Sequence, residues 1–318
     1  MLTRRALLPI LAVIPKPWRF HSETAPRSRE TRIIFGGDIM LSRFVGKLAR
    51  ERGDPASPLR DLAPTLAAAD IAFANLEAPF SDRGRVVESG MVFKAEPEMI
   101  RGLELAGIDV VSTANNHARD CDGYGIEFTL DWLAGHGIAA VGTGKSAEAA
   151  HAGAVVERSG TRFGFLAYTF DQKNGNYKDI DDRVAGMDVE RMRADVKAML
   201  KLAEVAIVSM HAGTEYSPRP NAQQIEFARA AIEAGASVVV GHHPHVVEPW
   251  ERIGGAVVYY SLGNLVFDQF QREETQHGAL GLVRFSGAKL VEARRVAIDI
   301  VRTAPRLAQI SPAGAAGG

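Results

Sequence analysis

The feature that most limits what this chain can fold into is the spacing of its apolar runs. Between residues 32 and 250, short apolar segments alternate with helix-length amphipathic ones. Strands are expected at 32–37, 71–75, 109–113, 138–141, 162–169, 205–210 and 237–240. AIVSM at 206–210 and VVV at 238–240 are unbroken rather than alternating, the pattern of strands covered on both faces. Between them, Asn221 is placed to cap a helix, with Gln224 three positions on, Ile225, Ala228 and Ile232 on one face, and Gly235 as its C-cap. Asp122 starts another, with Ile126, Leu130 and Leu133 as its buried stripe before Gly135 and Gly137.

After residue 250 the pattern changes. Gly254-Gly255 reads as a hairpin turn between 251–253 and 256–260, and further strands follow at 280–285 and 290–301 around the turn SGAK. A βα front and an antiparallel back, with no linker between, predict one layered α/β domain over 32–304. The first 22 residues carry no Asp or Glu, and Arg4 and Arg5 precede an apolar run at 6–14 that is too short to span a bilayer. TRRALL has the form of a twin-arginine export signal, although Pro9 interrupts the run. Residues 1–31 are therefore expected to be an export signal and disordered lead-in, and 305–318 a flexible tail. Export to the cell envelope follows if the leader is authentic, and a cytoplasmic location if it is not. Any membrane association is expected through that segment alone.

Composition closes off several classes. Lys and Arg total 37 against 38 Asp and Glu, a net charge of -1, which excludes a strongly basic nucleic-acid binder. One cysteine, Cys121, excludes a disulfide framework and a cysteine zinc cage. A metal site here must use His, Asp, Glu and Asn.

Such residues fall where apolar runs end. GGD closes the first strand at Asp38, NLE the second at Glu77, and NNH the third at Asn115, Asn116 and His117. His211 follows AIVSM, and GHHPH follows SVVV with His242, His243 and His245. Each has a plainer reading alone: Asp38 as a helix cap, Glu77 as a loop acid, NNH as an Asx turn, His211 as a hydrogen-bonded core residue. GHHPH resists this, because three imidazoles off any regular solvent face cost free energy unless something binds them. In open α/β sheets the carboxyl ends of the strands form the ligand crevice. The combined O/N donors suit Mn, Fe or Zn, and one or two divalent ions would activate a bound water.

GGDIML (36–41), ANLEAPF (74–80), NNHARD (115–120), HAGTEY (211–216), GHHPHVVEPW (241–250) and YSLGNLVFD (260–268) together resemble the CapA family of poly-γ-glutamate capsule-synthesis proteins, similar in turn to the calcineurin-like metallophosphoesterases. The resemblance implies a four-layer αββα sandwich of the metallo-dependent phosphatase type. It implies Asp38, Glu77 and His245 at one metal and Glu77, Asn116, His211 and His243 at a second. His117 takes the catalytic histidine's place, with Asp120 orienting it or a ligand histidine. His242, where the superfamily has glycine, is expected behind the ligands. Lys94, Glu215 and Asn264 are expected at the substrate rim. Met40 stands where the superfamily has a histidine, and a thioether is a poor ligand for a hard ion. Three functions follow: a metal-dependent hydrolase or transferase on an anionic polymer or phosphoester, with capsule-synthesis proteins as partners; a non-catalytic polymer-gripping assembly factor; or a metal-dependent phosphoesterase. His21, His136, His151 and His277 are expected off the site, and Trp132 in the core.

Overall fold

The computed structural model describes residues 30–83, 91–173 and 179–308. The expected export signal and most of the expected tail lie outside them. Two sheets organise the chain. The first comprises β1 (Glu30–Ile39), β2 (Ile71–Leu76), β3 (Val110–Ser112), β4 (Ala139–Val141), β11 (Asn264–Val266), β12 (His277–Ser286), β13 (Lys289–Val301) and β14 (Ala304–Leu307). Its order is β14-β13-β12-β1-β2-β3-β4, with β11 beside the end of β1. The second comprises β5 (Ala154–Arg158), β6 (Thr161–Thr169), β7 (Val205–His211), β8 (Ala236–His242), β9 (Trp250–Ile253) and β10 (Ala256–Tyr259). It runs β5-β6-β7-β8-β10-β9. Strands β1 to β4 pair in parallel, as do β6, β7, β8 and β10. Strands β12 to β14 are antiparallel additions.

Side-chain alternation along these strands creates three separate cores. Ile33, Phe35, Phe73 and Val110 face Phe163, Phe165, Val205, Ile207, Val238 and Val240 between the sheets. Their neighbours Ile34, Ala72, Ala74 and Val111 pack outward against Val45, Leu59, Leu66, Leu103 and Leu133. These cover residues come from α1 (Arg43–Glu51), α2 (Ala63–Ala67), α3 (Ile100–Leu105), α4 (Asp122–Gly135) and the loop before α2. On the other side Leu166, Val208 and Val239 meet Ala150, Met192, Val196, Phe227 and Ala231. These come from α5 (Ala147–Ala152), α6 (Val189–Met199) and α7 (Ala222–Ala234). Three cores between four layers give the αββα sandwich that the resemblance implied. Phe35, Phe73, Phe163 and Phe165 are at most 1% exposed, and each is worth ~1.5–3 kcal/mol of burial.

The helix predicted after Asn221 forms with its full capping box and with Gly235 at φ 115°. Strand β1 starts at Glu30 and β14 runs to Leu307, so the domain extends beyond 32–304 at both ends. Strands β5, β11 and β14 add to the predicted set. The first is an edge strand with a charged end, and the second has only three residues. Trp132 is half-buried on the helix face, with Nε1 donating to the Pro97 carbonyl at 2.9 Å.

Candidate metal centre

The crevice is built by the loops leaving β1, β2, β3, β7 and β8. GGD carries its carboxylate through an irregularity: the β1–β2 register shifts between Phe35 and Asp38. Gly37 permits this, since a Cβ there would lie 1.9 Å from the Gly263 carbonyl oxygen. The Asp38 amide then donates to that same carbonyl at 3.0 Å. His243 and His245 have φ of 98° and 60°, left-handed values that non-glycine residues adopt at a cost of about 1–3 kcal/mol each. That strain turns both imidazoles inward.

Asp38, Glu77 and His245 each offer a ligand atom within 4.8 Å of the other two, and all three are buried. Asp38 Oδ1 accepts from Asn75 Nδ2 at 2.8 Å, and its Oδ2 from the His243 amide at 3.2 Å. Burial opposes its charge, but the His242 and His245 side chains outweigh burial and hold the carboxyl well below the usual range. Glu77 behaves oppositely. Burial first, then the charges of Asp38, Glu215 and Asp120, push its carboxyl well up. Both its oxygens lack a hydrogen-bond partner at 0% exposure. A buried acceptor pair without a donor is costly, and a cation is the group that would satisfy it. The donor set therefore fits a divalent metal.

The imidazoles are prepared for that role. Asn264 spends its amide hydrogens on Gln269 Oε1 and the Thr275 carbonyl, both at 3.0 Å. Its Oδ1 thus accepts from His245 Nδ1 at 3.0 Å, which leaves His245 Nε2 toward Glu77 Oε1 at 3.7 Å. His211 Nδ1 faces Asn75 Nδ2 at 3.3 Å, and its Nε2 meets Asn116 Oδ1 at 2.7 Å. Its ring lies 4.9 Å from that of His243. Burial, with His243 next, depresses His211 strongly, and burial followed by His245 brings His243 down to about 3. Both rings are thus neutral near pH 7, the form that binds metal. His242 is fully buried between the sheets, with Nδ1 3.4 Å from Asp38 Oδ1.

His117 stands apart from this cluster. Its Nδ1 meets Asp120 Oδ2 at 2.7 Å, and its ring stacks on Phe93 at 3.9 Å. Asp120 Oδ2 also accepts from the Phe93 amide. The structure therefore brings together Asp38, Glu77, Asn116, His211, His243 and His245, with His242 beneath and His117–Asp120 beside them. One rim expectation needs correcting. Asn264 is 0% exposed and fully engaged, so it orients His245 and cannot line the rim. Lys94 is half-buried and pairs with Glu96, 3.4 Å away. Glu215 is exposed, and its charge reaches Glu77. Met40 is buried in the helix-side core, with its sulfur accepting from Ser42, and takes no part. His136, His151 and His277 pair elsewhere with Glu104, Asp195 and Asp299. Sequence reasoning misses Asn75, though it opens the NLE motif. Phe93 and Phe267, which contact His117 and His245, carry no sequence signal.

Four layers with buried carboxylates, amides and imidazoles gathered at the strand ends define the class: an αββα protein with a candidate metal centre. The chain belongs to the family described as bacterial capsule synthesis protein PGA_cap, which matches residues 32–269. It is 33% identical over 239 residues to the PGA biosynthesis protein CapA of Bacillus subtilis (strain 168), covering 74% of this chain and 63% of that protein. It is 29% identical over 290 residues to the capsule biosynthesis protein CapA of Bacillus anthracis, covering 83% and 68% respectively. The chain thus spans under two thirds of the Bacillus subtilis relative. The crystal structure of a hypothetical protein from Thermus thermophilus shares the fold at a TM-score of 0.52 and 16% identity, over 84% of this chain and 99% of that one.

Proposed function

We propose that the chain serves capsule or poly-γ-glutamate biosynthesis through a metal-dependent, hydrolase-like centre at the strand ends. The observation that carries this is Glu77: a fully buried carboxylate with both oxygens unpartnered, set against Asp38 and His245. Asp38, Glu77 and His245 would hold one divalent ion, and Asn116, His211 and His243 stand ready for a second beside Glu77. Mn, Fe or Zn suits these donors. Bound there, a cation supplies an activated water and charge neutralisation at an acyl or phosphoryl oxygen. The chain's own residues do the rest. Asn75 and the His243 amide fix the Asp38 carboxylate, and Asn264 fixes the His245 ring. With His117 Nδ1 held by Asp120, Nε2 is free to pass a proton to a leaving group.

The substrate class is an anionic polymer or phosphoester, met in the cell envelope if the N-terminal segment directs export. One observation favours a second reading, a non-catalytic polymer-binding or assembly factor: Met40 is turned into the core, so the first strand end offers no imidazole. The test is elemental analysis of purified protein, paired with hydrolysis of poly-γ-glutamate and of a simple phosphoester. The hydrolase reading expects bound metal that is lost in Asp38→Ala, and turnover that is lost in His117→Ala. Bound polymer without turnover supports the assembly reading. Folded protein without metal sinks the centre altogether.

A further inference from the structure

Two arginines lie over aromatic rings at the crevice, and each ring touches a candidate imidazole. The Arg43 guanidinium sits 5.4 Å from the Phe93 centroid, and Phe93 stacks on His117. The Arg272 guanidinium sits 4.6 Å from the Tyr216 centroid, and Tyr216 lies 6.3 Å from the His245 ring. Phe267 joins the two halves, 5.8 Å from Phe93 and 4.7 Å from His245. Phe93 and Phe267 are each 1% exposed, so they form a buried aromatic floor that carries a cation toward either end and His245 against it.

Arg43 is built into place. It begins α1 at φ 49°, a left-handed value. Buried Asp268 holds it: Oδ1 lies 2.9 Å from Nη2, and Oδ2 accepts from the Phe44 amide at 3.1 Å. Among the described residues its Nη1 meets the Met91 thioether, at 3.0 Å, a weak acceptor that an anion would displace. Arg272 is exposed, and no carboxylate pairs with it among the described residues. The exposed edge-to-face pair Phe44–Phe270 adjoins Arg43. With a net charge of -1 the chain has no general excess of positive charge, so these cations act locally.

We infer that Arg43 and Arg272 form a two-point clamp for a polyanionic chain whose carboxylates are spaced by apolar stems. Guanidinium forks bind carboxylates in two-bond geometry, and the exposed Phe44 and Phe270 rings, with half-buried Tyr216, take the intervening methylenes. Glu215 opposes the clamp: its charge already reaches Tyr216 and Glu77. This assignment rests on the polymer reading above.

The test compares binding of γ-linked diglutamate and long poly-γ-glutamate by calorimetry, using purified full-length protein. Wild type is expected to favour the long chain. Arg43→Gln and Arg272→Gln each weaken that binding roughly tenfold, the worth of one charged hydrogen-bonded contact. The double variant removes the preference for length, and Glu215→Gln strengthens long-chain binding. Exposed Arg272 keeps the test decisive should Arg43→Gln unfold. Long-chain affinity unchanged in the double variant overturns the clamp, as does equal affinity for oligothymidylate, which would mean that charge alone is read. Elemental analysis of the same samples is expected to show unchanged metal content. Polymer lost with metal kept isolates the clamp, whereas metal absent from wild type refutes the centre and leaves the binding result to stand by itself.

Discussion

Replacing Glu77 by glutamine should shift stability in opposite directions with and without metal. Glu77 is wholly buried, neither oxygen has a donor, and Asp38 lies close enough to oppose its charge. A lone buried carboxylate costs several kcal/mol even after relaxation, and one unsatisfied buried acceptor costs about 1–3 kcal/mol. Glutamine keeps the shape, removes the charge and adds a donor. In chelator, Glu77→Gln is therefore expected to stabilise by ~1–3 kcal/mol. For a domain this large, each kcal/mol raises Tm by roughly 2–4 °C. With Mn²⁺ at about a hundred times Kd, wild type should gain about 2.7 kcal/mol by mass action. The variant, lacking this acid, should gain almost nothing, so the ranking of the two proteins reverses between conditions. Differential scanning fluorimetry in EDTA and in excess MnCl₂ reads both arms. A Glu77→Gln variant less stable than wild type in EDTA, or equally stabilised by Mn²⁺, would refute the view that this carboxylate is kept for a cation.

Three further outcomes follow from other residues. Gly37→Ala should destabilise by more than about 2 kcal/mol and lose metal, since its Cβ would collide with the Gly263 carbonyl 1.9 Å away; urea unfolding with elemental analysis checks both. Glu248 is raised by burial to about 7 against the opposing hydrogen bond from Gln224. The native carboxyl keeps a proton that the unfolded chain gives up, so this contribution is complete below about pH 4.5 and fades by ~1.4 kcal/mol per pH unit as pH rises toward 7. Glu248→Gln should flatten that slope in urea midpoints measured across pH. Asp120→Asn should cut turnover roughly 10²–10⁴-fold at unchanged metal content, because it removes the negative charge that orients His117 and supports its protonated form; loss of metal instead would place Asp120 in the ligand set.

What is legible in the sequence is what strands and turns write locally. An unbroken apolar run followed at once by Asp38, His211 or GHHPH marks both the strand and its polar exit, and the structure gathers those exits in one place. The capping residues of α7 are likewise readable from spacing. Asn264 is misplaced by sequence reasoning because depth is not a local property: YSLGN gives no sign that β11 tucks beside β1 and buries the amide. Asn75 escapes notice because Glu77, two residues on, carries the charge, while its own role depends on a cross-strand neighbour. The rings of Phe93 and Phe267 acquire meaning only once distant loops meet.

The donors come from both halves of the sandwich. Asp38, Glu77 and Asn116 leave the eight-stranded sheet, whereas His211, His243 and His245 leave the six-stranded one. An ion held among them would act as a rivet across the seam between the sheets. It would pin the open end of a seam that Phe35, Phe73, Phe163 and Phe165 already close by apolar packing, so the cation would set how far the two slabs can shift at the crevice rather than whether they meet.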